Sequence, residues 1–343
     1  MKRISIVASV TLLLACLAGV ASAEDGLSGT ALEVLGDDIP EPPAGFDTAQ
    51  EAMQAVLTGK VAPINADLPT PDGIRVTKDV EFGTGGERPL TLDLYQPEES
   101  SEPTPGLIFI HGGGWGSGTK DVYRYYGIKF AEKGYVVASI SYRLSGEATF
   151  PAAVEDCKCA VRWMRTSAVD LGVDPDRIAV AGGSAGGHLA MMVGYTADVE
   201  DLEGDGGHDG VSSSVQCVVN IYGPADLTTD FVRTNAGANR MVSQFLGASI
   251  DDDLPLYQHA SPLTHLDKSD PPTLILHGTT DDIVLIRQAD MLAEKLKDVE
   301  VPYIYDRLAG WPHAMDIAQP VNDRCVWLME RFFAAMLAND KQD

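Results

Sequence analysis

The sequence predicts an α/β protein with a mostly parallel central sheet, helices on both faces and a short cap region. Two observations carry that prediction. From residue 106 onward, short apolar runs alternate with longer helix-like runs, the pattern of units that lay a parallel sheet between two helical layers. In addition, a serine among small residues, Gly182-Gly183-Ser184-Ala185-Gly186, closes a strand-like run at 177–181 and opens a helix-like one. A chain of 343 residues with 45% hydrophobic content can bury one substantial core and leaves little room for a second full domain.

The elements follow in order. Residues 1–23 read as a leader, with Lys2 and Arg3 before an apolar run at 4–20 and Ala21-Ser22-Ala23 before Glu24. This is the layout of a secretory signal peptide cleaved after Ala23, and the run is short for a membrane span, so no stable membrane insertion is expected. A lipoprotein anchored at Cys16 is the less favoured alternative, because apolar residues continue past it. Residues 24–70 are rich in Pro, Gly, Asp and Ala and read as an N-terminal extension with one helix-like stretch at 48–57, ahead of the main domain at 71–343. Strands at 74–82 and 90–95 flank Gly83-Thr84-Gly85-Gly86 and predict an antiparallel hairpin at a sheet edge. Strands follow at 106–110, 135–141, 177–181, 215–222, 273–276 and 303–308, with helices near 121–133, 152–171, after Ser184, 286–297 and 320–337. No internal repeat is visible.

Two loops interrupt the alternation. The longer, 225–271, is short for a full lid and predicts a shallow, open cleft. The other, 198–210, carries Asp198, Glu200, Asp201, Glu203, Asp205 and Asp209 and reads as a solvated acidic loop; a calcium site is the alternative, without EF-hand spacing.

The serine turn carries the chemistry. A serine between strand and helix sits in a strained conformation, and its small neighbours at 182, 185 and 186 remove side chains that would clash. The hydroxyl is thereby lifted above the sheet, at a helix N-terminus whose free N–H groups face developing negative charge. Upstream, His111-Gly112-Gly113-Gly114-Trp115 follows a strand and can turn bare N–H groups toward an oxyanion, with Gly113, Gly114 and the Ala185 N–H as the candidate donors. A hydroxyl also needs a base steadied by a carboxylate. Asp281 lies in the loop after strand 273–276, and His313 follows strand 303–308 in Ala309-Gly310-Trp311-Pro312-His313. Asp282 is the competing acid. His111, His188 and His277 read as packed, structural histidines, and Trp115 and Trp311 as candidate cleft walls able to stack on a sugar or an aryl acyl group.

With these motifs in view, the sequence from about residue 73 to the C-terminus resembles the α/β-hydrolase superfamily, in its bacterial esterase and lipase branch with an HGGGW-type motif, close to feruloyl and acetyl-xylan esterase-like members. Ser141-Tyr142-Arg143-Leu144, Phe150-Pro151-Ala152-Ala153, Asp174-Pro175-Asp176-Arg177-Ile178 and Tyr222-Gly223-Pro224-Ala225-Asp226-Leu227 extend the resemblance. It implies an α/β-hydrolase fold with nucleophile Ser184, acid Asp281, base His313 and oxyanion donors Gly113, Gly114 and Ala185. The implied reaction is acyl transfer on a carboxylic ester without metal or other cofactor. Spacing after His277-Gly278 favours Asp281 over Asp282. An amidase or formamidase on the same triad is the nearest alternative, and a non-catalytic carbohydrate-binding or adhesion module the more distant one.

Charge and cysteines narrow the partners. The net charge is −25, and loss of Lys2 and Arg3 with the leader takes it to −27. Such a field disfavours nucleic acid and other polyanions and favours a neutral or weakly charged ester, whether small or linked to a polysaccharide. Cys157, Cys159, Cys217 and Cys325 remain after cleavage. Cys157 and Cys159 point in different directions on one helix-like run, so no bridge between them is expected, and no Cys/His spacing fits zinc.

Overall fold

A computed structural model describes residues 25–197 and 199–339; the leader and its Cys16 lie outside them. Nine strands are found among the described residues: β1 Gly26–Gly29, β2 Ile74–Gly85, β3 Arg88–Pro97, β4 Thr104–Ile110, β5 Val136–Ile140, β6 Val173–Gly183, β7 Cys217–Ile221, β8 Thr273–Gly278 and β9 Tyr303–Leu308. They form one sheet in the order β1-β9-β8-β7-β6-β4-β5-β3-β2. It is parallel from β5 across to β9 and antiparallel at both edges.

Alternation along the strands explains the two helical layers, because successive side chains point to opposite faces. Ile108, Ile110, Val180, Val218 and Ile275 face one way and pack with helices Ala152–Thr166 and Ala185–Tyr195. Leu107, Phe109, Ala179, Ala181, Val219, Leu274 and Ile304 face the other way and pack with helices Arg124–Ala131 and Gln319–Met336. Strands buried on both faces read as continuous apolar runs, which is why they were legible.

The edges differ more. The hairpin of β2 and β3 closes one edge as expected. At the other, Gly26-Leu27-Ser28-Gly29 pairs with β9, from Gly26 opposite Arg307 to Gly29 opposite Ile304. Residues 25–29, expected only as extension, thus cover an edge whose backbone groups would otherwise lie open. The sequence carries no strand signal there, since two glycines flank the pair and the bonds are main-chain only. The helix expected at 152–171 breaks at Ser167, and the short helix Ala168–Leu171 ends on Gly172 at φ 68°.

Register sets the site. Ile110 of β4 lies beside Gly182 of β6, Gly183 beside Ile221 of β7, Ile221 beside Leu276 of β8, and Gly278 beside Leu308 of β9. The loops bearing Gly113, Ser184, Asp281 and His313 therefore leave the sheet on one rim, where ligand sites of open α/β sheets form.

In the acidic loop, Glu203 is committed to the protein. Its Oε1 pairs with Lys158 Nζ at 2.8 Å and accepts the Ser213 hydroxyl at 2.6 Å, and Oε2 pairs with Arg162 Nη1 at 2.7 Å. Asp201 lies 3.3 Å from His259 Nε2, and Asp198 lies outside the described residues. Among the described residues no helix is long and apolar enough to cross a membrane, and no group of three or more His, Cys, Asp or Glu converges as a metal site. All four described cysteines are buried free thiols.

Candidate active site

Ser184 stands between β6 and helix Ala185–Tyr195 at φ 56° and ψ −124°. Such a conformation costs a non-glycine residue about 1–3 kcal/mol, so its surroundings must hold it. The Ser184 N–H donates to the Ile221 carbonyl of β7 at 2.9 Å, and its carbonyl accepts the His188 N–H at 3.1 Å. A side chain on Gly186 would collide with the Ile110 carbonyl of β4. The small residues of the motif are thus explained by close approach of the helix to the sheet.

Ser184 Oγ lies 2.9 Å from His313 Nε2, and His313 Nδ1 lies 2.7 Å from Asp281 Oδ2. A carboxylate only accepts, so the histidine proton sits on Nδ1 and leaves Nε2 able to take the serine proton. Asp281 is buried, and its Oδ1 accepts the N–H groups of Ile283 at 2.9 Å and Val284 at 2.8 Å. Burial by itself would raise this carboxyl, yet bonds donated by His277 and His313 outweigh it and hold it at about 2. Asp282, the competing acid, is exposed.

His277 is the site residue whose part the sequence did not disclose. Its Nε2 lies 2.8 Å from the Val284 carbonyl and 3.2 Å from Asp281 Oδ2. A carbonyl requires a donor, so Nε2 carries the proton and shares it with the carboxylate that faces His313. The available signal was the position of His277 four residues before Asp281, at the end of β8.

The other two histidines brace the site. His111 Nδ1–H donates to the Gly112 carbonyl at 2.8 Å, its ring stacks on Tyr142 at 4.3 Å, and burial lowers its pKa. His188 is fully buried; its Nε2–H donates to the Ala260 carbonyl at 2.8 Å and its Nδ1 accepts the Trp115 indole N–H at 3.2 Å. Burial pushes His188 down to about 4. The unfolded chain therefore takes up this proton first, and stability contributed by the neutral ring is lost as pH falls from about 6.5 toward 4. A His188→Gln variant should narrow its stability gap to wild type over that window, by about 3 kcal/mol at most, in urea melts at pH 7 and pH 4.5. A gap independent of pH would contradict the neutral assignment.

Gly113 and Gly114 follow β4 with φ of 112° and 57°. Among the described residues no protein acceptor takes the N–H of Gly113, Gly114 or Ala185. Above Ser184 lies an apolar cavity of about 280 Å³. Its floor includes Gly114 and Trp115, and Phe231, Met241 and Val242 of the cap helices Asp230–Thr234 and Ala236–Leu246 form part of its wall. Val242, Phe245 and Leu246 are buried in the core, and this anchors the short cap beside the site.

The two tryptophans part company. Trp115 lines the cavity, but its ring lies flat on Phe245 at 4.6 Å and its N–H is bound to His188, so it is a fixed wall. Trp311 does not line that cavity, and the expectation that it walls the cleft is corrected. It is buried, meets the Phe46 ring edge-on at 5.5 Å and donates its indole N–H to the Pro43 carbonyl at 3.1 Å. Gly310, at φ 70°, precedes it, and Pro43 and Phe46 hold the ring outside the cavity. Beneath His313, the Tyr222 ring lies 4.7 Å away and its hydroxyl donates to buried Asp316 at 2.5 Å, with Tyr126 donating to the other oxygen at 2.9 Å.

The mostly parallel sheet and this rim of loops define an α/β-hydrolase. The chain matches the BD-FAE family over residues 92–296, more than half its length, and belongs to that family. Esterase LipC of Mycobacterium tuberculosis is 31% identical over 319 residues, covering 87% of this chain and 78% of LipC. Among solved structures, a truncated form of a carbohydrate esterase from gut microbiota aligns with TM-score 0.67 and 25% identity over 79% of this chain and 99% of its own. The esterase Est2 of the planctomycete Thermogutta terrifontis aligns with TM-score 0.65 and 25% identity over 84% of this chain and 100% of its own. The chain is an ester hydrolase.

Proposed function

We propose that this chain is a secreted serine esterase that works through an acyl-enzyme, on acetyl or hydroxycinnamoyl esters of carbohydrates or on similar small esters. The reading rests above all on one observation: Ser184, His313 and Asp281, far apart in sequence, stand in line at 2.9 and 2.7 Å. Neutral His313 takes the Ser184 proton as Oγ attacks the ester carbonyl, and Asp281 steadies the imidazolium so formed. Carbonyl oxygen charge falls to the N–H groups of Gly113, Gly114 and Ala185. His313 then protonates the leaving alcohol, and water, activated by the same base, releases the acid. The acyl group occupies the apolar cavity walled by Trp115, Met241 and Val242, which suits an uncharged short or aryl acyl chain. The net charge of −25 fits a neutral ester better than a polyanion.

A panel of acetyl, feruloyl and formamide substrates tests the reading, with ester turnover expected to dominate. Dominant formamide turnover would make the chain an amidase, and no turnover together with no fluorophosphonate label on Ser184 would make it a binding module. Gly114→Ala should lower kcat about 100-fold through the disturbed donor. Added bulk there faces Met241, and φ of 57° strains any side chain. An unchanged kcat would remove Gly114 from the donor set. Mass spectrometry of the exported protein should find Glu24 first; a start at Cys16 would make it a lipoprotein.

A further inference from the structure

We propose that residues 40–64 form a strap that sets the position of His313, so that Gly45 and Phe46 are positioning residues for the reaction although neither reaches the substrate. The proposal rests on His313 being the base at Ser184.

The histidine loop, 309–318, leaves β9 and enters helix Gln319–Met336, and the strap bonds its main chain near both ends. At the start, the Phe46 N–H donates to the Gly310 carbonyl at 2.9 Å, beside the bond from Trp311 to Pro43. At the end, the Ile64 N–H donates to the Ile317 carbonyl and the Gln319 N–H to the Ala62 carbonyl, each at 2.8 Å. Between these anchors, Ala52, Met53 and Val56 of helix Ala49–Leu57 share one small crevice with Pro312, His313 and Ala314. Thr48 caps that helix by accepting the Glu51 N–H at 3.2 Å, which fixes where it begins.

Contact at the first anchor is main chain on main chain. A side chain on Gly45 would collide with the Ala309 carbonyl, and one on Gly310 with the Phe46 backbone. The approach is stiff as well, because Pro40-Glu41-Pro42-Pro43 has little backbone freedom left to lose on docking. Arg324, gripped by Asp306 of β9 at 2.7 and 2.9 Å, donates its remaining nitrogen to the Pro40 carbonyl. On the inner side the loop is held by Asp316 through Tyr222 and Tyr126. The imidazole is thus placed between an inner tyrosine pair and an outer strap, and its 2.9 Å approach to Ser184 depends on both.

Full-length Gly45→Val, Phe46→Ala and Phe46→Tyr variants test the strap by kcat and KM on p-nitrophenyl acetate, thermal unfolding, and the low-field proton resonance of the His313 Nδ1–H. Displacing the loop by about 1 Å should lower kcat of Gly45→Val about 100-fold while KM stays within about twofold, and should shift the resonance. Phe46→Ala should lose about tenfold in kcat, and Phe46→Tyr, which keeps the edge-on ring contact, should restore it. A folded Gly45→Val with wild-type kcat and resonance would overturn the proposal. If that variant does not fold, equal kcat in Phe46→Ala and Phe46→Tyr would do so instead. Ser184→Ala run alongside separates the two readings: activity in it removes the catalytic assignment, whereas its inactivity beside unaffected strap variants removes the strap alone.

Discussion

Ser184→Ala is expected to lower kcat on any ester substrate by about 10⁶-fold while leaving the thermal unfolding midpoint unchanged or raised. On the proposed mechanism the loss follows from removing the atom that forms the acyl-enzyme, and the residual rate belongs to the donors and the cavity. Stability should hold because the turn is secured by main-chain bonds from Ser184 to Ile221 and His188, which alanine keeps. The backbone there is at φ 56°, a strain that alanine shares with serine. Retained turnover in a pure preparation would dismiss Ser184 as nucleophile.

Asp281→Asn is expected to lower kcat about 10⁴-fold with little change in KM, and the contacts state why. Oδ1 accepts two backbone N–H groups, from Ile283 and Val284, so the amide oxygen of asparagine must take that place. Its NH₂ then faces His313 Nδ1 and His277 Nε2, where Oδ2 accepts in the wild type. A donor facing Nδ1 favours the tautomer with the proton on Nε2, which cannot take the serine proton. A loss smaller than about tenfold would mean that this carboxylate does not set the tautomer. pH gives a companion check. Asp281 is held at about 2, so it stays ionised well into acid, and its protonation adds nothing to the acid limb of activity above about pH 3. The acid limb of kcat/KM should therefore show a slope of one; a slope of two above pH 3 would require a second titrating group.

Much of this was legible in the sequence because the cues are local. Ser184 announces itself through the close packing that Gly186 permits against β4, and the doubly buried strands through unbroken apolar runs. What escaped depends on contacts across long sequence separations. β1 joins the sheet through backbone bonds to β9, for which Gly26 and Gly29 give no local sign. Trp311 sits in a loop beside His313, so proximity in sequence pointed it at the cleft, whereas Pro43 and Phe46 pull it outward. The cap is anchored to the core by Val242, Phe245 and Leu246, which the length of loop 225–271 does not reveal. His277 likewise looked structural because its effect on Asp281 needs the turn between them to be folded.

Fluorophosphonate titration of the native chain, followed by peptide mass spectrometry, tests the central claim most directly. One equivalent should be incorporated, on Ser184, with ester turnover falling in proportion, and His313→Ala should slow the labelling by orders of magnitude. A label on another residue, or full loss of turnover with Ser184 unmodified, would contradict it.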